Sequence, residues 1–185
     1  MAIHLYGGNL DAVEEVASQA IVIHKTVPLT DYWLCHAYYF LGSIAYERNL
    51  LDVAADYFRR VEEMIYRVNT SIYHDCLIGL ALVSWARSEK AEAWEYADRA
   101  RAFAIEMKNT SSKMVSDSFH TRLAVLSGRA PAEPAIGLSD HEGLLFWLEI
   151  LGLTQAEYLL NRSKPDYRRA LSIIDDAGLR DRHRG

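Results

Sequence analysis

The tripeptide NTS occurs twice, at Asn69-Thr70-Ser71 and Asn109-Thr110-Ser111, 40 residues apart. Between and around these copies lie long segments with apolar residues at spacings of three and four, the period of an amphipathic helix. No segment shows the alternation of β-branched residues between tight turns that marks strands. Asn-Thr-Ser is a glycosylation acceptor pattern, and it is also helix punctuation, because Asn tolerates a left-handed turn and a hydroxyl caps the next helix. A joint that recurs at a fixed interval between helical segments constrains the chain to helix hairpins of about 40 residues laid side by side.

The rest of the sequence supports the second reading of NTS. The first ten residues, MAIHLYGGNL, have no basic start followed by a long apolar run. Apolar stretches are short, so no membrane span is expected. The two cysteines, Cys35 and Cys76, sit inside expected helices and do not make a disulfide framework. These features favour the cytoplasm and argue against glycosylation, including at the third acceptor pattern, Asn161-Arg162-Ser163. The formal net charge of −5 gives no general affinity for nucleic-acid phosphates.

Eight helices are expected, over 10–24, 31–48, 51–67, 71–87, 90–107, 112–127, 141–161 and 165–177. Thr30, Thr70 or Ser71, and Ser111 are expected to cap the second, fourth and sixth. Short connections make consecutive helices antiparallel. In YFLGSIAYERNLLDVAADYFRRV (Tyr39 to Val61), Gly42 shares a face with Tyr38 and Ala45, while Ala54, Phe58 and Val61 form a stripe on the next helix. A glycine inside a helix costs about 1 kcal/mol against alanine. Close approach of the partner helix, with Ala54 as the other small surface, is the expected compensation. The next hairpin repeats the pattern with Leu77, Leu80 and Ala81 against Ala93, Ala97 and Ala100; Ala54 and Ala93 are 39 residues apart.

Leu41-Gly42, Ala54 and Phe58 resemble the small-residue pattern of a tetratricopeptide repeat, with Tyr38-x2-Leu41-Gly42-x2-Ala45 in place of its usual W-x2-L-G-x2-Y. The period exceeds the usual 34 and the terminal proline is missing, which suits a subgroup with longer helices. Over nearly its whole length the chain is similar to the helical repeat region of MalT-like, LuxR-type bacterial regulators, the large ATP-dependent signal-transduction ATPases. The segments that carry this likeness are YYFLGSIAYERNLLDVAADYFRRV, the glycine-less LALVSWARSEKAEAWEYADRARAFAIEMKNT, FHTRLAVLSGR, and FWLEILGLTQAEYLLNRSKPDYRRALSIIDDAG, where Ala170 stands in the last alanine stripe.

The resemblance implies an all-α, right-handed superhelix of antiparallel hairpins: a partial hairpin over 1–27, then repeats over 30–68, 70–108, 111–130 with 138–162, and 165–180. It implies a single repeat domain excised from a longer regulator, whose exposed repeat ends offer a route to self-association. It also implies a sensor role: binding a small effector or protein partner, with ATP hydrolysis and DNA binding carried elsewhere. The stand-alone alternative is an adaptor for protein–protein interaction.

Chemistry within the chain finds little support in its motifs. There is no G-x4-G-K-[ST] loop and no G-x-S-x-G elbow; Gly7-Gly8 reads as a turn, and Gly42-Ser43 sits within a helix. His141-Glu142 is followed by Leu145 where a zinc protease needs histidine. Cys35 and His36 diverge on one helix, as do His74 and Cys76; a metal site would need one pair to meet the other across the array. No metal, cofactor or catalytic residue is therefore expected. Glu14-Glu15, Glu62-Glu63 and Asp175-Asp176 read as solvated faces, and so does the basic stretch after Asn161. In a tetratricopeptide array the first helix of each hairpin lines the concave face. On that basis the expected ligand or partner surface is His36, Tyr39, Ser43, Tyr46 and Glu47, with Asp75, Ile78 and Trp85, and then Ser118 and Arg122. Aromatics among polar groups are the composition of binding hot spots.

Overall fold

The computed structural model describes residues 9–27, 31–64, 70–129, 148–162 and 164–176, with the backbone alone at 70, 148–153, 175 and 176. Among these residues there are eight helices and no strand: α1 (Leu10–Thr26), α2 (Asp31–Glu47), α3 (Leu51–Glu62), α4 (Thr70–Ala86), α5 (Lys90–Glu106), α6 (Thr110–Leu126), α7 (Leu148–Leu160) and α8 (Tyr167–Asp176). The all-α expectation holds, and seven of the starts fall within two residues of those read from periodicity. The exception is the seventh helix, whose expected beginning at 141 lies outside the described residues. No described helix is long and apolar enough to cross a membrane. The chain, read above as one repeat domain, divides into two compact units, Met1–Phe103 and Ala104–Gly185.

Four helices close in the same way. Asn49, Ser88, Lys108 and Gly128 take positive φ values of 57°, 66°, 53° and 68°. The residue after each reaches back to the carbonyl five positions earlier: Leu50 to Ala45, Glu89 to Ser84, Asn109 to Ala104 and Arg129 to Ala124, at 2.8–3.0 Å. This Schellman closure satisfies carbonyls that the helix end would otherwise leave unpaired. It also corrects the reading of NTS. Lys108, not Asn109, makes the left-handed turn, and Asn109, not Ser111, is the cap: its side chain accepts from the Ser112 N–H at 3.0 Å. Asn9 does the same for α1 through Ala12, and Asp166 for α8 through Arg169. The expected cap Thr30, and Asn69 with the Thr70 side chain, lie outside what is described. Asn109→Ala is expected to lower stability by about 1 kcal/mol, read from chemical denaturation.

In the first unit α1 packs on α2, α2 on α3 and α3 on α4, and α2 also meets α4 directly. Rings and polar contacts give the directions. Tyr73 meets Phe103 at 4.7 Å and Ser84 donates to Glu92 at 3.2 Å, so α4 and α5 run antiparallel. Two ties recur one hairpin apart. Arg48, just past α2, holds Asp11 and Glu14 of α1, and Arg87, just past α4, holds Asp52 of α3. Arg99 of α5 pairs with Glu62. Glu14 and Glu62, expected on solvated faces, are therefore cross-helix anchors, while Glu15 and Glu63 stay exposed.

Phe58 organises this packing. It is fully buried, and a Cβ built on Gly42 of α2 would lie 2.6 Å from its ring. A Cβ on Gly79 of α4 would lie 2.7 Å from the ring's other edge. The close approach expected at Gly42 thus exists, but an aromatic ring makes it rather than Ala54. One side chain of α3 fills the seam between two helices that each give up a side chain to admit it.

In the second unit α6 packs on α7 and α7 on α8. Ala156 and Leu159 of α7 bury Ala170 and Ile173 of α8, with Tyr158 and Ile174 at the margin. Val115, Phe119 and Leu123 are the buried stripe of α6. Pro165 stays outside α8, and Asp166 turns the chain by donating its N–H to the Leu159 carbonyl.

Candidate functional site

Of the ten residues expected on a recognition face, five are closed off from solvent. Tyr39, Ser43, Asp75, Ile78 and Ser118 are all buried. The cause is the packing just described: α2 is covered by α1, α3 and α4, so a face left for a groove belongs largely to the core. Ser43 spends its hydroxyl on the Tyr39 carbonyl at 2.9 Å, the usual way a helical serine is satisfied inside. Asp75 accepts from His74 Nδ1 at 3.1 Å. Burial pushes its carboxyl above the usual range, and the His74 contact opposes that shift. His36, Tyr46, Trp85 and Arg122 are half-buried and Glu47 is exposed. Arg122 lies in the second unit, where it faces Glu157 of α7 at 3.6 Å. Lys90 stands over the Trp85 ring at 5.7 Å.

His36 belongs to a surface that periodicity did not single out. Tyr32 and Trp33, on the first turn of α2, are 41% and 55% exposed. Their rings meet edge to face, with centroids 5.2 Å apart. His36 lies against both, at 4.5 Å from Tyr32 and 6.0 Å from Trp33. Spacings of four and three residues place all three side chains together on a helix. His36 Nδ1 donates to the Tyr32 carbonyl at 2.6 Å. That bond fixes the ring and leaves Nε2 as an acceptor in the neutral form. The product is an aromatic platform edged by the Tyr32 hydroxyl, the Trp33 indole N–H and His36 Nε2. It can stack on a planar or apolar group, attract a cation to a ring face, and donate and accept hydrogen bonds at its edge. The available signal was the pair Tyr32-Trp33 one helical turn ahead of His36.

Cys35 is buried and donates to the Tyr32 carbonyl at 2.9 Å. Burial pushes the Cys76 thiol well up, and Asp75 and Cys35 nearby push it the same way. Among the described residues no three His, Cys, Asp or Glu side chains are grouped to hold a metal ion. Gly7-Gly8 and His141-Glu142 lie outside the described residues.

No family model, curated protein or solved structure matches the chain.

Proposed function

We propose that the chain is a non-catalytic recognition module, with the Tyr32–Trp33–His36 platform of α2 as the centre of its binding surface. The observation that carries this reading is two large aromatics left half in water on a helix that is otherwise mostly buried. Tyr and Trp presented this way are typical anchors for a partner, because they give much contact area for little lost side-chain freedom. In the wider role implied by the likeness to MalT-like regulators, the module senses an effector. A ligand that favours one arrangement of the hairpins shifts the population toward it, by no more than its difference in affinity between arrangements. The second reading is a protein-interaction adaptor, favoured by the exposed character of the platform, which suits a peptide side chain.

The test is a thermal-shift screen of the full chain against sugars, nucleotides and peptides. The expected result is a compound that raises the melting temperature and whose affinity falls at least tenfold with Trp33→Ala but is mostly kept with Trp33→Phe. A small-molecule hit favours the sensor and a peptide hit the adaptor. Binding indifferent to Trp33→Ala removes the platform from the site.

A further inference from the structure

α1 and α3 occupy equivalent places in successive hairpins. Each opens with Leu-Asp, at Leu10-Asp11 and Leu51-Asp52, and each aspartate is tied to the arginine that follows the next helix, Arg48 or Arg87. On this correspondence Val16 matches Tyr57 and Ala20 matches Val61. In α3 that flank is covered: Tyr57 stacks on Tyr38 of α2 with centroids 6.2 Å apart, and Val61 is fully buried. In α1 it is bare. Val13 and Ala17 are buried, but Val16 and Ile23, two turns apart on the flank, are 42% and 48% exposed. The position calls for a helix that presents apolar side chains outward.

α8 is such a helix. Ala170 and Ile173 face α7, while Tyr167 and Leu171, one turn apart, are 65% and 49% exposed. The charges beside the two faces are opposite. The first half of α1 has three carboxylates, Asp11, Glu14 and Glu15, against one guanidinium, Arg48. Around the α7–α8 corner stand Arg162, Lys164, Arg168 and Arg169 against Asp166, and among the described residues these four cations make no ion pair. Glu15 sits next to Val16, and Arg168 next to Tyr167.

We propose that the occupant of the α1 flank is a second copy of this chain, docked through the outer face of its α8. Such a contact is heterologous, one patch meeting a different patch, so it can extend beyond a dimer. One helix crossing is smaller than the interface of a stable complex, so the association is weak and rises with concentration. Opposite charges beside the contact make it weaken with salt.

Sedimentation velocity of the full chain over a concentration series tests this. The weight-average mass is expected to rise from one chain toward two and beyond, and to fall back on adding salt. Val16→Glu with Ile23→Glu removes one patch and Leu171→Glu the other; all three sites are exposed, and circular dichroism confirms that each variant is folded. Each variant alone is expected to be monomeric, and their equimolar mixture to form a one-to-one dimer, because each retains the patch the other lacks. A wild-type chain that stays monomeric throughout overturns the proposal. So does either variant associating by itself, or a mixture that remains monomeric.

Discussion

Phe58→Ala is expected to lower stability by about 3–5 kcal/mol, the cost of removing a fully buried phenylalanine whose site cannot close over the gap. For a chain of this size that is a melting temperature lower by roughly 10 °C. The large effect follows from geometry. The ring touches α2 at Gly42 and α4 at Gly79, so its loss opens the seam between two helices as well as the α3 face. Urea denaturation of the variant gives the number. A loss below about 1 kcal/mol would mean that the seam collapses freely and that the ring does not hold the hairpins together.

The second large effect changes sign with its background. Gly42→Ala and Gly79→Ala each gain helix propensity, about 1 kcal/mol. Each also drives a methyl group into the Phe58 ring, which has the opposite glycine behind it and nowhere to move. Overpacking of this kind costs about 1–3 kcal/mol, so both variants are expected to be destabilised by roughly 1–2 kcal/mol net. In the Phe58→Ala background the obstacle is gone, and the same substitutions are expected to stabilise by up to about 1 kcal/mol. A double-mutant cycle reads this coupling directly. Additive effects would show that the glycines and the ring do not share one contact.

Helix starts were legible from the apolar period, while the punctuation between them was not. Lys108 makes the turn that was assigned to Asn109, Asn109 makes the cap that was assigned to Ser111, and Pro165 lies outside the helix it was expected to open. Interior packing was only partly legible. Gly42 announced a close approach, but its partner was read as Ala54. Gly79 went unused because it lies in the run CLIGLALV, where every residue but Leu82 is buried and periodicity carries no information.

The recognition surface was the least legible part. A polar residue in a groove and one satisfied inside the core look alike in sequence. Ser43 is the clear case: its hydroxyl is satisfied by its own helix, one turn back. Tyr32 and Trp33 were overlooked for the converse reason, since aromatics at the start of an apolar helix read as core. Repeated ion pairs gave a second missed signal, because Asp11–Arg48 and Asp52–Arg87 mark the hairpin period as clearly as NTS does.

The central claim is that α2 and α4 close on a single ring of α3, which makes successive hairpins one packed unit and holds the Tyr32–Trp33–His36 platform on a rigid support. Proton–proton Overhauser contacts from the Phe58 ring test it most directly. Cross-peaks to the α-protons of both Gly42 and Gly79 in the same sample are the expected result. A ring that reaches only one of the two glycines, or neither, would contradict the account.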